Sequence, residues 1–173
     1  MTALPAVHLR ALTLADAEVL ELSMIADVGG FNWTGHRDAG WLVARIRDRE
    51  TLQDDGGILA VTDDAGQLLG DVGWRRRDCG PPPYSWCWNL GIQLIPEHRG
   101  RGYGSAAQRA AADYLFATTT CARIEADTEV TNVAEQRALE KAGFVREGQT
   151  RSTHFRAGAW HDSVLYAVIR GDR

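Results

Sequence analysis

The residues best placed to do chemistry lie in one stretch, Leu94-Ile95-Pro96-Glu97-His98-Arg99-Gly100-Arg101-Gly102-Tyr103-Gly104-Ser105. It runs from the end of a strand pattern, through a turn with three alternating glycines, into the start of a helical pattern. Glycines at such a turn let the backbone approach a ligand closely and take conformations that a side chain forbids. Amides left free where a helix begins, with the positive end of its dipole behind them, suit a diphosphate. Neither common phosphate loop fits. No Lys-Ser/Thr pair follows the glycines, as a Walker A loop needs, and Gly100-x-Gly102-x-Gly104 lacks the dinucleotide spacing. On the glycines alone, a turn that serves only strand-to-helix geometry is the alternative.

A second stretch narrows the choice. Arg99 to Gly104 resembles the Q/R-x-x-G-x-G/A signature with which GNAT acetyltransferases hold the pyrophosphate of CoA. Asn132 to Phe144 looks like a later helix of the same family, with its leading Asn132, its Glu140-Lys141 pair and its closing Gly143-Phe144. The chain is therefore similar to the GNAT superfamily, nearest the RimJ/RimL-like branch. The resemblance implies acetyl-CoA as acyl donor, no metal, and a primary amine as acceptor. The amine would belong to a small molecule, an antibiotic or a protein N-terminus, and would attack directly in a ternary complex.

By the same likeness, backbone groups of Leu94 and Ile95 would pair with the pantetheine arm. The amides from Gly100 through Arg101, Gly102, Tyr103 and Gly104 to Ser105 would hold the pyrophosphate, with Arg99 and Arg101 nearby. Asn132, Ala134 and Arg137 would line the cofactor on its other side, and a backbone amide near Ile92 or Gln93 would meet the thioester oxygen. Asn132 is also a plain helix cap in its own right, and Arg101 and Arg137 are equally readable as solvated.

The acid and base positions depart from the family pattern. Leu139 stands where many relatives carry a tyrosine that protonates the leaving thiolate, Glu135 where RimL-like relatives often carry a serine, and Trp88 at a frequent site for a carboxylate base. The candidates for a base are Glu125, Asp127 and Glu135, each also readable as a solvated charge. An α-amine, with a pKa of about 8, needs less help than a lysine at about 10.4. Phe31, Trp33, Trp74, Trp86 and Trp88 fall in segments that flank the acceptor cleft in relatives. Trp86 and Trp88 share one face of a strand, where packing against a helix competes with a role in an acceptor wall. His98, His154 and His161 are scattered, with no metal spacing, and no Ser/His/Asp or Cys/His set emerges. A non-catalytic acyl-CoA-binding module of the same fold is the rival function.

The elements that must carry these residues read as follows. A strand over Val7–Leu12 leads to a helix opened by a Thr13/Asp16 capping box and reaching about Met24. After a Gly- and aromatic-rich loop, a second helix spans about Ala39–Leu52 and is ended by Gly56-Gly57. Strands Ile58–Thr62 and Leu68–Arg75 make a hairpin around Asp63–Gly66. A long strand over Tyr84–Ile95 precedes a helix over Gly102–Ala117, a strand over Arg123–Thr128, a helix over Asn132–Ala142 and two last strands over Phe144–Phe155 and Ser163–Arg170. One α/β domain over residues 1–173 accommodates this order: a single mostly antiparallel mixed sheet with helices on both faces and splayed central strands.

Bulk properties agree. With 173 residues, 45% hydrophobic and 24% charged, the chain is in the range of an ordinary globular domain. A net charge of −4 argues against a general nucleic-acid or anionic-membrane binder, and Arg75-Arg76-Arg77 reads first as a solvated strand end. The odd cysteines Cys79, Cys87 and Cys121 form no CxxC pair, which fits reduced thiols and a cytoplasmic protein. No leader or membrane-spanning pattern is evident. Monomer and homodimer are both open.

Overall fold

A computed structural model describes residues 3–26, 30–31, 40–48, 51–81 and 83–172. Its elements are β1 (His8–Arg10), α1 (Leu14–Ala26), α2 (Gly40–Arg47), β2 (Leu52–Gln53), β3 (Gly56–Thr62), β4 (Leu68–Asp78), β5 (Trp86–Leu94), α3 (Tyr103–Thr118), β6 (Arg123–Glu129), α4 (Val133–Ala142), β7 (Val145–Arg156) and β8 (Ala159–Ile169). They build one mixed sheet in the order β1-β3-β4-β5-β6-β8-β7, with β2 on β3. Every described strand pairing is antiparallel except β5 with β6. Among the described residues no helix is long and apolar enough to cross a membrane.

Strand alternation sends side chains to two separate cores. Leu59 and Val61 of β3 join Trp74, Trp88, Leu90, Ile124, Ala126 and Tyr166 beneath α3 and α4, which contribute Ala107, Ala111, Leu115, Leu139 and Ala142. Ala60, between them, faces the opposite way and packs with Leu12, Ala17, Leu20 and Leu42 from the side of α1 and α2. The expected layering, helices on both faces of one sheet, is what forms. The alanines of α3 are small because the helix lies close over the sheet centre, where Ala107, Ala111 and Ala112 have no exposure.

Local signals explain the ends of the elements. Asp16 accepts from the Thr13 backbone N–H and hydroxyl, both at 2.7 Å, and from two nitrogens of Arg10 at 2.6 and 2.9 Å. The Arg10 guanidinium holds the Asp16 carboxyl down to about 2. Asn132 caps α4 through Oδ1, which accepts from the Glu135 N–H at 3.3 Å, and Gly143 ends it with φ 96°. The last hairpin turns tightly at Ala157-Gly158, both with positive φ, inside the longer Arg156–Asp162 turn expected.

One boundary differs in kind. Gly56 and Gly57 do not end a helix but begin β3. The indole of Trp74 lies over Gly57, where a Cβ would stand 2.4 Å from Cζ2, and the β4 backbone crowds Gly56, where a Cβ would stand 2.5 Å from the Trp74 carbonyl oxygen. Glycine is needed there for close approach within the sheet, which reads in the sequence like a helix stop.

Candidate active site

β5 and β6 are paired over two residues only, Trp88 with Ile124 and Asn89 with Glu125. Yet β5 continues to Leu94 and β6 to Glu129. Beyond Asn89 the sheet opens as a V, which begins at Gly91, where an added Cβ would meet nothing within 4 Å. The glycine-rich turn stands at the end of β5. Gly100 and Gly102 take φ 75° and 86°, and Gly102 serves as the N-cap of α3 with no side chain to bond its first amides. An uncapped helix start beside an opening in a sheet is a ready anion site.

The turn is braced from within. Arg99 Nε donates to the Leu94 carbonyl at 3.0 Å. The Ile95 N–H donates to the Leu69 carbonyl at 2.9 Å, and its carbonyl accepts from the His98 N–H at 2.9 Å. The backbone N–H of Ile95 and the carbonyl of Leu94, both expected beside the pantetheine arm, thus already have partners within the fold. Asn132 is likewise engaged, with Nδ2 donating to Thr128 Oγ1 at 2.9 Å, while Arg101, Ala134 and Arg137 are exposed.

On the α3/α4 side, Glu135 sits in the first turn of α4 and accepts from Gln108 Nε2 at 2.7 Å. Burial outweighs that bond and pushes its carboxyl up to about 7. The amide oxygen of Gln108, Oε1, is buried with no hydrogen-bond partner among the described residues. Leu139, where a tyrosine acid would stand, is sealed in the core at 1% exposure.

The opposite face of the sheet is polar. Glu125 accepts from Arg77 at 2.7 Å and from Arg123 at 2.8 Å. Arg123 also grips Glu147. Glu129, buried, accepts from Arg156 at 2.5 and 2.8 Å, which holds its carboxyl below the usual range. Between them Asp127 accepts from Asn89 Nδ2 at 3.0 Å and lies 3.3 Å from His154 Nε2. His154 Nδ1 is 3.1 Å from the hydroxyl of buried Ser163, which accepts from Thr153 at 2.7 Å. Asn89 and Asp127 stand at the point where the strands part.

The aromatic candidates divide. Trp74 and Trp88 are buried in the α3-side core, Trp74 against Tyr114 and Trp88 with its Nε1–H donating to Thr119 at 3.2 Å. That corrects their expected place in an acceptor wall, since strand alternation turns them away from Asp127. Trp86 is half-buried, edge-on to Trp88 and under the Arg76 guanidinium. Phe31 is exposed and carries Arg156 5.2 Å over its ring, on the polar face. Trp33 lies outside the described residues.

Sequence spacing missed the Asp127–His154–Ser163 set, because β6, β7 and β8 meet only in the folded sheet. It also missed Cys79 and Cys87, whose sulfurs lie 3.2 Å apart with Glu125 beside them. That trio is the one metal-like group among the described residues, but both Glu125 oxygens are taken by arginines. Burial pushes the Cys87 thiol up.

The description of the acetyltransferase (GNAT) domain matches residues 6–145. This chain belongs to the GNAT acetyltransferase family. Among similar proteins is a probable N-acetyltransferase, YjcK, of Bacillus subtilis, 36% identical over 116 residues, which are 67% of this chain and 61% of YjcK. The chain thus spans under two thirds of that relative. Among solved structures, Mycobacterium smegmatis RimJ in complex with CoA-disulfide superposes with TM-score 0.78 at 21% identity, covering 97% of this chain and 84% of RimJ. A spermidine N-acetyltransferase from Vibrio cholerae, in complex with CoA and spermine, gives 0.78 at 20% identity over 96% of both chains. These likenesses show the shared fold.

Proposed function

We propose that the chain transfers an acetyl group from acetyl-CoA to a primary amine, by direct attack in a ternary complex. The observation that carries this is the parting of β5 and β6 after Asn89, next to the side-chain-free start of α3. The residues fit CoA. The turn offers uncapped amides from Gly100 to Ser105, and Gln108 Oε1 is a buried acceptor without a donor, suited to an amide N–H of a pantetheine arm. Leu94 and Ile92 border the opening from β5, Tyr103 and Gly104 open α3 beside it, and Arg101 and Arg137 are exposed cations near its mouth.

Acetyl-CoA supplies the activated acyl group, and the side chains divide the proton work. Asp127 draws in the acceptor ammonium, the strongest counter-charge being the one carboxylate of Glu125, Asp127 and Glu129 with no arginine on it, and passes its proton to water at the open edge. Glu135 serves as an acid, because a carboxyl raised to about 7 is still about half protonated at neutral pH and can give that proton to a leaving thiolate. Glu125 has a structural part, tied to two arginines. Of the described aromatic candidates, Phe31 is exposed under Arg156 on the Asp127 side and is the one left for an acceptor wall, whereas half-buried Trp86 shares the other face with Trp88. The acceptor is a cationic small amine or a peptide N-terminus, and the protein works as a cytoplasmic enzyme, in keeping with its unpaired cysteines.

The test is free-thiol release from acetyl-CoA with spermidine and with an alanine-led peptide. Turnover of either with loss in Asp127→Asn supports the reading. Tight acetyl-CoA binding with no thiol release from any amine would instead make the chain a non-catalytic acyl-CoA-binding module.

A further inference from the structure

We propose that His154 is the positioning residue of the acceptor site, holding Asp127 in place while neutral and competing with the acceptor ammonium for it once protonated. This rests on Asp127 being the acceptor anchor. The carboxylate accepts at Oδ1 from Asn89 Nδ2 at 3.0 Å, and its Oδ2 lies at ion-pair distance, 3.3 Å, from His154 Nε2.

The ring is oriented from behind. Ser163 has no exposure, and its oxygen already accepts from Thr153. Its own hydrogen has one described destination, His154 Nδ1 at 3.1 Å. A hydroxyl donating to Nδ1 leaves the neutral ring's hydrogen on Nε2, facing Asp127. In that state Asp127 keeps its full negative charge and a fixed orientation. Adding a proton to the ring puts a cation 3.3 Å from Oδ2, and a second cation, the substrate's, must then displace or share it.

The charged and titratable groups around the ring are Asp127 and Glu129 of β6, His161 of β8, which pairs with His154 in register, and Arg156 of β7. Glu129 and Arg156 neutralise one another, and His161 Nδ1 faces Glu129 at 3.5 Å. Glu129 also feels the charge of His154, but Asp127 is the carboxylate at ion-pair distance from the ring, and its side chain is still 25% open to solvent.

The probe is butylamine, which stays cationic through the range tested, with the full chain loaded with CoA, so that no acetyl transfer consumes the amine. We expect butylamine to bind about tenfold more weakly near pH 5.5 than near pH 8, and to move the NMR titration midpoint of the His154 ring to lower pH, as competition requires. His154→Gln, whose amide still reaches Asp127, should keep the affinity near pH 8 within about threefold and lose the pH dependence, whereas His154→Ala should bind about fivefold more weakly than wild type near pH 8 and show that same affinity near pH 5.5. Retained pH dependence in His154→Gln, or an unmoved midpoint, overturns the proposal, as does no butylamine binding near pH 8. If butylamine binds Asp127→Asn as well as wild type, the acceptor reading itself has failed, with the role of His154 falling alongside it.

Discussion

Replacing Glu135 by glutamine should stabilise the fold and slow the enzyme, and both effects follow from one buried carboxyl. A free glutamate at 4.5 raised to about 7 in the fold means that ionisation is disfavoured by about 3 kcal/mol, at 1.36 kcal/mol per unit. The sign runs one way. Below pH 4.5 both folded and unfolded chains carry the proton and nothing is lost; as pH climbs to about 7 the unfolded chain ionises first, and stability falls by that amount. Glutamine keeps the bond to Gln108 and has nothing to ionise. Thermal melts followed by circular dichroism should therefore show Glu135→Gln melting about 6 to 12 °C above wild type near pH 8, on a slope of roughly 2 to 4 °C per kcal/mol for a chain of this size. The two should converge near pH 4. In the same variant kcat should drop by about a hundredfold, the usual worth of a positioned acid, and wild-type kcat should decline as pH rises through about 7. A constant gap between the melting curves, or a variant with normal kcat, would refute the argument that burial holds a proton on Glu135.

Gly100→Ala places a methyl in open space at φ 75°, so it should cost about 1 kcal/mol of fold stability yet weaken acetyl-CoA binding at least about tenfold by calorimetry. Trp88→Ala should lower stability by about 3 to 5 kcal/mol with acceptor KM unchanged in the folded fraction, and a raised KM at normal stability would return this ring to the acceptor wall. Asp16→Asn should destabilise by roughly 2 kcal/mol at neutral pH. Because the Asp16 carboxyl is held down to about 2, that difference should persist above pH 3.8 and vanish as pH falls through about 2 in chemical-denaturation curves.

The sequence shows most where chemistry and chain are local. The strand-turn-helix at Leu94–Ser105 and the capped helix at Asn132–Gly143 are legible because their signals sit within a few residues of one another, and both form where expected. The layering follows from the same periodicities, whereas the order of strands across the sheet is set by pairings that no local pattern carries. What is not legible depends on distance across the sheet. Trp88 reads equally as wall or core until Ile124 and Leu115 are seen beside it. Asp127 and His154 lie 27 residues apart and are brought together by β8, which pairs with both their strands. Gly56-Gly57 misleads for a related reason, since the indole and backbone that crowd them come from β4.

The two rungs between β5 and β6 also bear on how the molecule comes apart. The sheet is in effect two panels, β1 to β5 under α3 and β6 to β8 under α4, with the two helices packed on each other and the panels stitched at one edge. A molecule seated in the opening touches both panels and acts as the missing rungs. Empty, the panels should exchange their amide hydrogens as two units with separate opening free energies; filled, as one. Comparing exchange in β4 with exchange in β8 would then report occupancy from the protein's own cooperativity, with no signal taken from the ligand.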